Sequence, residues 1–274
     1  MKRILFTLAI AMLAVSGMSA RLIKVLAIGN SFSVDALEQE MHNVVNAGGD
    51  EIVIGNLYHP GCSIERHYNN MKTDNGDYSY RKISADGRVD TIPDYTISRA
   101  LVEEKWDYIT FQQASHYSGR YDTYKHLPEL ISMVRKAVGP DPTFLWYMTW
   151  AYSPTSDHSG FKNYGNNQMR MYRSIVDCAI KVLADNPELK GIIPVGTAIQ
   201  NARMTALGDD LTRDGYHLSY TLGRYIASLT WYGVLYGHDI LGNPYSPARV
   251  NAPQRHICQE AAEAAIINPF RITL

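Results

Sequence analysis

The sequence predicts an α/β protein, a parallel sheet with helices on both faces. Two observations carry that expectation: short apolar, β-branched runs recur along the chain, and stretches of helical spacing separate them. A third is that no internal repeat or low-complexity linker breaks the alternation, which points to one domain over residues 21–274.

Taken in order, the first strand covers 22–28 and stops at Gly29. A helix is expected over 35–47, with Gly48-Gly49 as its stop. Strand two covers 51–57. A helix over 96–105 leads into strand three at 106–111. Residues 127–138 have helical spacing and end at Gly139-Pro140. Strand four covers 143–149, a long helix runs over 167–184 and stops before Pro187, and strand five covers 191–195. Helices over 218–236 and 254–267 complete the chain. The exception is 77–94, where Tyr78, Tyr80 and Lys82 alternate toward the turn signal Ala85-Asp86-Gly87-Arg88. This reads as a β-hairpin inserted between the second strand and its helix, beside the expected active-site rim.

Lys and Arg total 26 against 27 Asp and Glu, a net charge of −1 over 274 residues. With no basic run, nucleic acid is excluded as the main partner. Aromatic character is polar-tipped, with 19 Tyr and 4 Trp against 6 Phe, which suits sugars or mixed ligands. Residues 1–20 read as a cleaved secretory signal: Lys2-Arg3, an apolar run over 4–15, then small residues ending at Ala20. The apolar run is too short for stable membrane insertion, so a secreted or periplasmic protein is expected. Cleavage leaves a net charge of −3. Cys62, Cys178 and Cys258 are an odd number, which leaves at least one thiol unpaired within the chain. Buried apolar roles suit at least two of them, and no spacing resembles a metal site.

In an open α/β sheet, ligands bind beyond the carboxyl ends of the strands. Four segments fall there or at the start of the last helices. Strand one ends in Gly29-Asn30-Ser31-Phe32-Ser33, where Ser31 would emerge beside backbone N–H groups able to hold an oxyanion. Equally, Ser31, Ser33 or Asp35 could cap the following helix. After strand two comes His59-Pro60-Gly61-Cys62-Ser63, whose Gly61 lets backbone approach a ligand or simply turns the chain. After strand three comes Phe111-Gln112-Gln113-Ala114-Ser115-His116, with amides that can donate to an oxyanion or open a loop. Asp214-Gly215-Tyr216-His217 precedes a long apolar helix, and Asp and His three apart can act as orienting acid and general base. Trp150 and Tyr152 are candidates for the cleft mouth, with the tyrosines of 77–95 and 117–121 framing it. Arg66 and Arg120 are candidates for gripping an acidic substrate group. His59, His116 and His158 read as hydrogen-bonded or solvated histidines rather than metal ligands.

The order and placement of these segments resemble the SGNH hydrolase superfamily, the GDSL-like esterases and lipases. Gly29 to Ser33 matches its early Ser block, Pro60 to Ser63 its Gly block, and Asp214 to His217 its terminal Asp-x-x-His block. The resemblance implies a three-layer α/β/α sandwich around a five-stranded parallel sheet, flavodoxin-like in topology. It implies Ser31 as nucleophile, His217 as base and Asp214 as orienting acid, with the Ser31 and Gly61 N–H groups holding the oxyanion. The family's third oxyanion donor is an Asn, and here Ala114 stands where that Asn would fall. Gln112 or Gln113 is left to supply the amide, with Gln112 preferred. Loss of one such donor would cost about 3 kcal/mol of transition-state stabilisation.

Together these readings predict an exported serine esterase that removes small acyl groups, acetate foremost, from carbohydrate or another small ester, with no cofactor. A short-chain lipase or thioesterase is the alternative within the class, although no contiguous apolar lid is visible. A glycan-binding protein that has lost turnover is the alternative outside it.

Overall fold

β1 (Leu22–Gly29) is buried along nearly its whole length, as a strand covered on both faces must be. It pairs in parallel with β2 (Glu51–Tyr58), and the strand that follows the hairpin, β5 (Tyr108–Phe111), pairs on its other side. β6 (Thr143–Tyr147) and β7 (Leu189–Ile193) continue the sheet in parallel beyond β5. This computed structural model describes residues 20–274, so all of the expected signal except Ala20 lies outside the described residues.

The sheet has seven strands, not five, in the order β4 (Val89–Tyr95), β3 (Tyr78–Ile83), β2, β1, β5, β6, β7. All five expected parallel strands are present, in the flavodoxin-like order. The two additional strands are the hairpin, β3 and β4, with β3 antiparallel to β2. Joining the sheet satisfies the open edge of β2 and buries Tyr78 and Tyr80 on alternate positions, with Ile83 buried at the strand's end. Only the base of the hairpin reaches the carboxyl end of β2. Its turn lies toward the other end, where Ala85 O meets the His42 ring at 2.9 Å.

Two short helices, α1 (Ser31–Leu37) and α2 (Met41–Ala47), replace the single helix expected over 35–47. The break at 38–40 is held by polar anchors: Glu38 accepts from Asn56 and Arg81, and Glu40 from the Tyr245 hydroxyl. α3 (Ile64–Thr73) was not foreseen, because its buried stripe is Ile64, His67 and Asn70 and does not read as apolar. It packs with α4 (Ile97–Glu103) and α5 (Leu127–Val138). α6 (Gln168–Asp185) follows β6, and Asn167, expected as its first residue, caps it by accepting the Arg170 N–H. α7 (Val195–Arg203), also unforeseen, is buried at every position and so has no amphipathic period. It packs with α8 (Leu222–Tyr236) and α9 (Ala252–Ile267), and α1 and α2 pack on α8. The β1-to-β2 and β2-to-β5 connections run in opposite directions across the sheet. Right-handed crossovers therefore place their helices on opposite faces and leave a crevice between the ends of β1 and β5. All three cysteines are free and buried.

Candidate active site

At that crevice the chain ends of three strands are tied by one side chain. Asn30, almost fully buried, accepts the Phe32 N–H at 3.0 Å and so caps α1. The same oxygen accepts from Gln112 Nε2 at 2.8 Å, while its Nδ2 donates to Cys62 O at 3.1 Å and Gln113 O at 3.4 Å. The ends of β1, β2 and β5 are thereby held in one cluster. Ser31, the first residue of α1, is half-buried, and its hydroxyl has no protein hydrogen bond among the described residues. Neither the Ser31 N–H nor the Gly61 N–H has a protein acceptor there. Gly61 has φ +58°, and a side chain at that position would meet nothing within 4 Å, so this backbone faces open space.

The segment from Thr212 to Leu218 closes on itself through a bridge between those two residues and an Arg213 N–H to His217 O bond of 2.9 Å. Within it, Asp214 Oδ1 accepts the N–H groups of Tyr216 (3.1 Å) and His217 (2.7 Å), and Oδ2 meets His217 Nδ1 at 2.6 Å. His217 Nε2 is left as the ring nitrogen available to a substrate or nucleophile. Burial pushes the Asp214 carboxyl up, but the imidazole and the two N–H groups outweigh it and hold the carboxyl below its usual range. Gly215 needs its φ of +85°, and a Cβ there would also lie 2.7 Å from Ser156 Cα.

Aromatic packing sets this segment against α1 at Phe32. The ring of Phe32 stacks flat on Trp150, centroids 4.0 Å apart, and the His217 ring meets Phe32 edge-on at 5.8 Å. Trp150 Nε1 donates to Tyr216 O at 2.7 Å, and Ser153 N–H donates to Gly215 O at 2.8 Å. The position of Trp150 corrects the expectation for it: with Tyr152 it is fully buried, below the cleft rather than at its mouth.

A second tie was missed by sequence reasoning. Asp35, one turn beyond Ser31 and buried, is not a helix cap. It accepts from Arg213 Nη1 (2.9 Å), Arg224 Nη2 (2.6 Å) and Nε (3.0 Å), and the Leu218 N–H (2.8 Å). It thus joins the serine helix to both ends of the His217 segment.

The two glutamines differ. Gln113 is saturated, its Nε2 donating to Thr123 O and Oγ1 and its Oε1 accepting from the N–H groups of Ile64 and Ala114. Gln112 spends one N–H on Asn30, and its Oε1 is buried without a partner among the described residues. The arginine expectation is corrected as well. Arg66 is paired with Asp77 at 2.6 Å and Arg120 with Asp122 at 2.8 Å, so neither is a free cation. Tyr78, Tyr80 and Tyr95 of the hairpin are buried and do not line the cleft.

Fold and site together define a three-layer α/β protein whose ligand crevice lies at the carboxyl ends of β1, β2 and β5. The fold is shared with a crystal structure of an acetyl xylan esterase, AlAXEase, at 16% identity and a TM-score of 0.50, over 77% of this chain and all of that one. The chain belongs to the family described as Domain of unknown function (DUF4886), whose model matches residues 24–265. It is also similar to the crystal structure of a DUF4886 family protein from Bacteroides uniformis ATCC 8492. That likeness has 47% identity and a TM-score of 0.90, over 92% of this chain and 97% of the other. Comparison with curated proteins finds no match.

Proposed function

We propose that this chain is an exported serine esterase that hydrolyses small acyl esters, acetyl esters of carbohydrate foremost. The observation that carries the reading is the His217–Asp214 pair packed against Phe32 of the helix that Ser31 begins, with two N–H groups after β1 and β2 that have no protein acceptor among the described residues. Ser31 Oγ attacks the ester carbonyl while His217 Nε2 takes its proton. The carbonyl oxygen, now negative, is held by the N–H groups of Ser31 and Gly61. Collapse expels the alcohol, which receives the proton from His217, and leaves Ser31 acylated. Water, deprotonated by His217, then releases the acid. Gln112 rather than Gln113 is the amide suited to assist, since it alone keeps an N–H without a protein acceptor. The acetyl preference is supported by the shared fold of the acetyl xylan esterase, and the carbohydrate preference by the polar-tipped rings around the site.

The test is hydrolysis of p-nitrophenyl acetate by the chain beginning at Arg21 and by its Ser31→Ala variant, both checked for folding. Turnover that disappears in the variant supports the reading. Equal turnover in both overturns Ser31 as nucleophile. No turnover on any acyl length favours a glycan-binding protein without catalysis.

A further inference from the structure

From His217 a continuous wall of rings leads through Tyr216 and His158 to His116 and Tyr117. The centroid of Tyr216 lies 4.3 Å from that of His217, His158 4.8 Å from Tyr216, His116 5.8 Å from His158, and Tyr117 4.0 Å from His116. The four rings beyond His217 come from three loops, those after β5 and β6 and the Thr212–Leu218 segment, and all four are partly exposed. Behind them Tyr152 is buried and its hydroxyl is bonded to Ser115 Oγ at 2.6 Å, which fixes the backing.

Polar tips along this wall are unspent. The hydroxyls of Tyr216 and Tyr117 and both ring nitrogens of His116 make no protein hydrogen bond among the described residues. His158 Nδ1 accepts the Gly160 N–H at 3.0 Å, so its neutral ring carries the proton on Nε2, which has no protein partner. Four core tyrosines differ: the hydroxyls of Tyr124, Tyr147, Tyr225 and Tyr236 all donate to backbone carbonyls. Charge does not interfere, because burial holds the imidazoles of His116 and His158 below their ordinary value and uncharged near neutral pH.

The side of the site on which the wall stands follows from the chemistry. In the proposed reaction the oxyanion lies against the Ser31 and Gly61 N–H groups, toward β2. The leaving alcohol must lie against His217, which gives it a proton. A wall continuous with His217 therefore flanks the alcohol, not the acyl group. Flat rings with free donors and acceptors at their edges match a pyranose, whose C–H face stacks and whose hydroxyls bond. An alkyl chain would leave every one of those polar edges unpaired.

We infer that Tyr216, His158, His116 and Tyr117 form a leaving-group subsite that takes a sugar residue of an acylated glycan. This rests on the esterase reading of the site, and it assigns the alcohol half of the substrate to particular rings. His158 and His116 are then specificity-determining residues.

The test compares kcat/KM for partially acetylated cellotriose with that for p-nitrophenyl acetate in the native protein, His158→Ala, His116→Ala and the ring-retaining His158→Phe. The expected result is a fall of about tenfold in the ratio of sugar ester to nitrophenyl ester for each Ala variant, and a smaller fall for His158→Phe. Equal changes on both substrates overturn the inference, as does a native protein that favours p-nitrophenyl butyrate over the sugar ester. A second arm reads binding without turnover. Saturation-transfer NMR of the same trisaccharide on Ser31→Ala should give contacts from sugar C–H groups that His158→Ala removes. Should the native protein hydrolyse no ester, the esterase reading fails alone; the wall fails only if that binding signal is absent or unaffected by His158→Ala.

Discussion

Replacing Asp35 with Ala should destabilise the protein more than any other change at the edge of the site. The carboxylate is fully buried and receives two guanidiniums and one backbone N–H, so its removal leaves buried donors without acceptors. Removing one partner of a buried ion pair costs about 3–5 kcal/mol. Two features place this case in the lower part of that range. Arg213 also donates to Leu218 O and is a quarter exposed, and Arg224 also reaches Gln39 Oε1, so neither guanidinium is wholly stranded. The Leu218 N–H has no such alternative. An expected loss of about 3 kcal/mol lowers the melting temperature by roughly 6–12 °C in a domain of this size.

Calorimetry on the native protein, Asp35→Ala and Asp35→Asn checks this. Asn can keep one acceptor toward Leu218 and should recover part of the loss. Because Asp35 joins α1 to the His217 segment across 178 residues of sequence, kcat on p-nitrophenyl acetate should fall with stability, in a variant still folded at the assay temperature. A shift of less than 2 °C for Asp35→Ala would refute the argument that this carboxylate organises the site.

Two further outcomes follow from the same geometry. Asp214 is held below the ordinary carboxylate range, so its contribution to stability is complete above about pH 4, where the unfolded chain ionises, and is lost as pH falls through the lower folded value. Urea midpoints of native protein and Asp214→Asn should therefore differ at pH 5 and converge as pH falls toward 2; a gap that persists there contradicts the sign. Burial pushes the thiols of Cys62, Cys178 and Cys258 up to about 12, so Ellman's reagent at pH 8 should find no reactive thiol in the folded protein and three after denaturation.

Sequence patterns located what depends on local composition. The five parallel strands, α5 and α6 each announce themselves through an apolar run, a helical period or a Gly or Pro at the boundary. Asp214 and His217 were legible because their partnership lies within one turn of chain. What stayed hidden depends on partners far away in sequence. α3 buries His67 and Asn70 because Tyr78 waits for them, His67 Nδ1 at 2.8 Å and Asn70 Nδ2 at 3.1 Å from its hydroxyl. α7 is buried on every side and so has no face to betray it. The glutamines illustrate the limit most directly: Gln112 and Gln113 are adjacent and chemically identical, yet only Thr123 and Asn30 decide which of them has an N–H to spare.

The ties at this site are mostly polar, and that has a consequence for how it holds its shape. Asn30 fixes the ends of three strands, and Asp35 fixes the serine helix to the His217 segment, each through several hydrogen bonds of defined direction. Apolar packing tolerates small sliding, whereas a carboxylate shared by two guanidiniums and an N–H has one favourable arrangement. The apolar contribution, Phe32 between Trp150 and His217, supplies proximity, and the polar contacts supply register. Asn30→Asp separates the two roles. It keeps the size of the side chain and the N-terminal cap of α1, but turns the amide that donates to Cys62 O and Gln113 O into an acceptor. The stacked pair should survive while the ends of β2 and β5 loosen, so the near-ultraviolet signal of Trp150 should persist as the proposed turnover of p-nitrophenyl acetate falls. Loss of both together would mean that the polar cluster and the aromatic pair are a single cooperative unit.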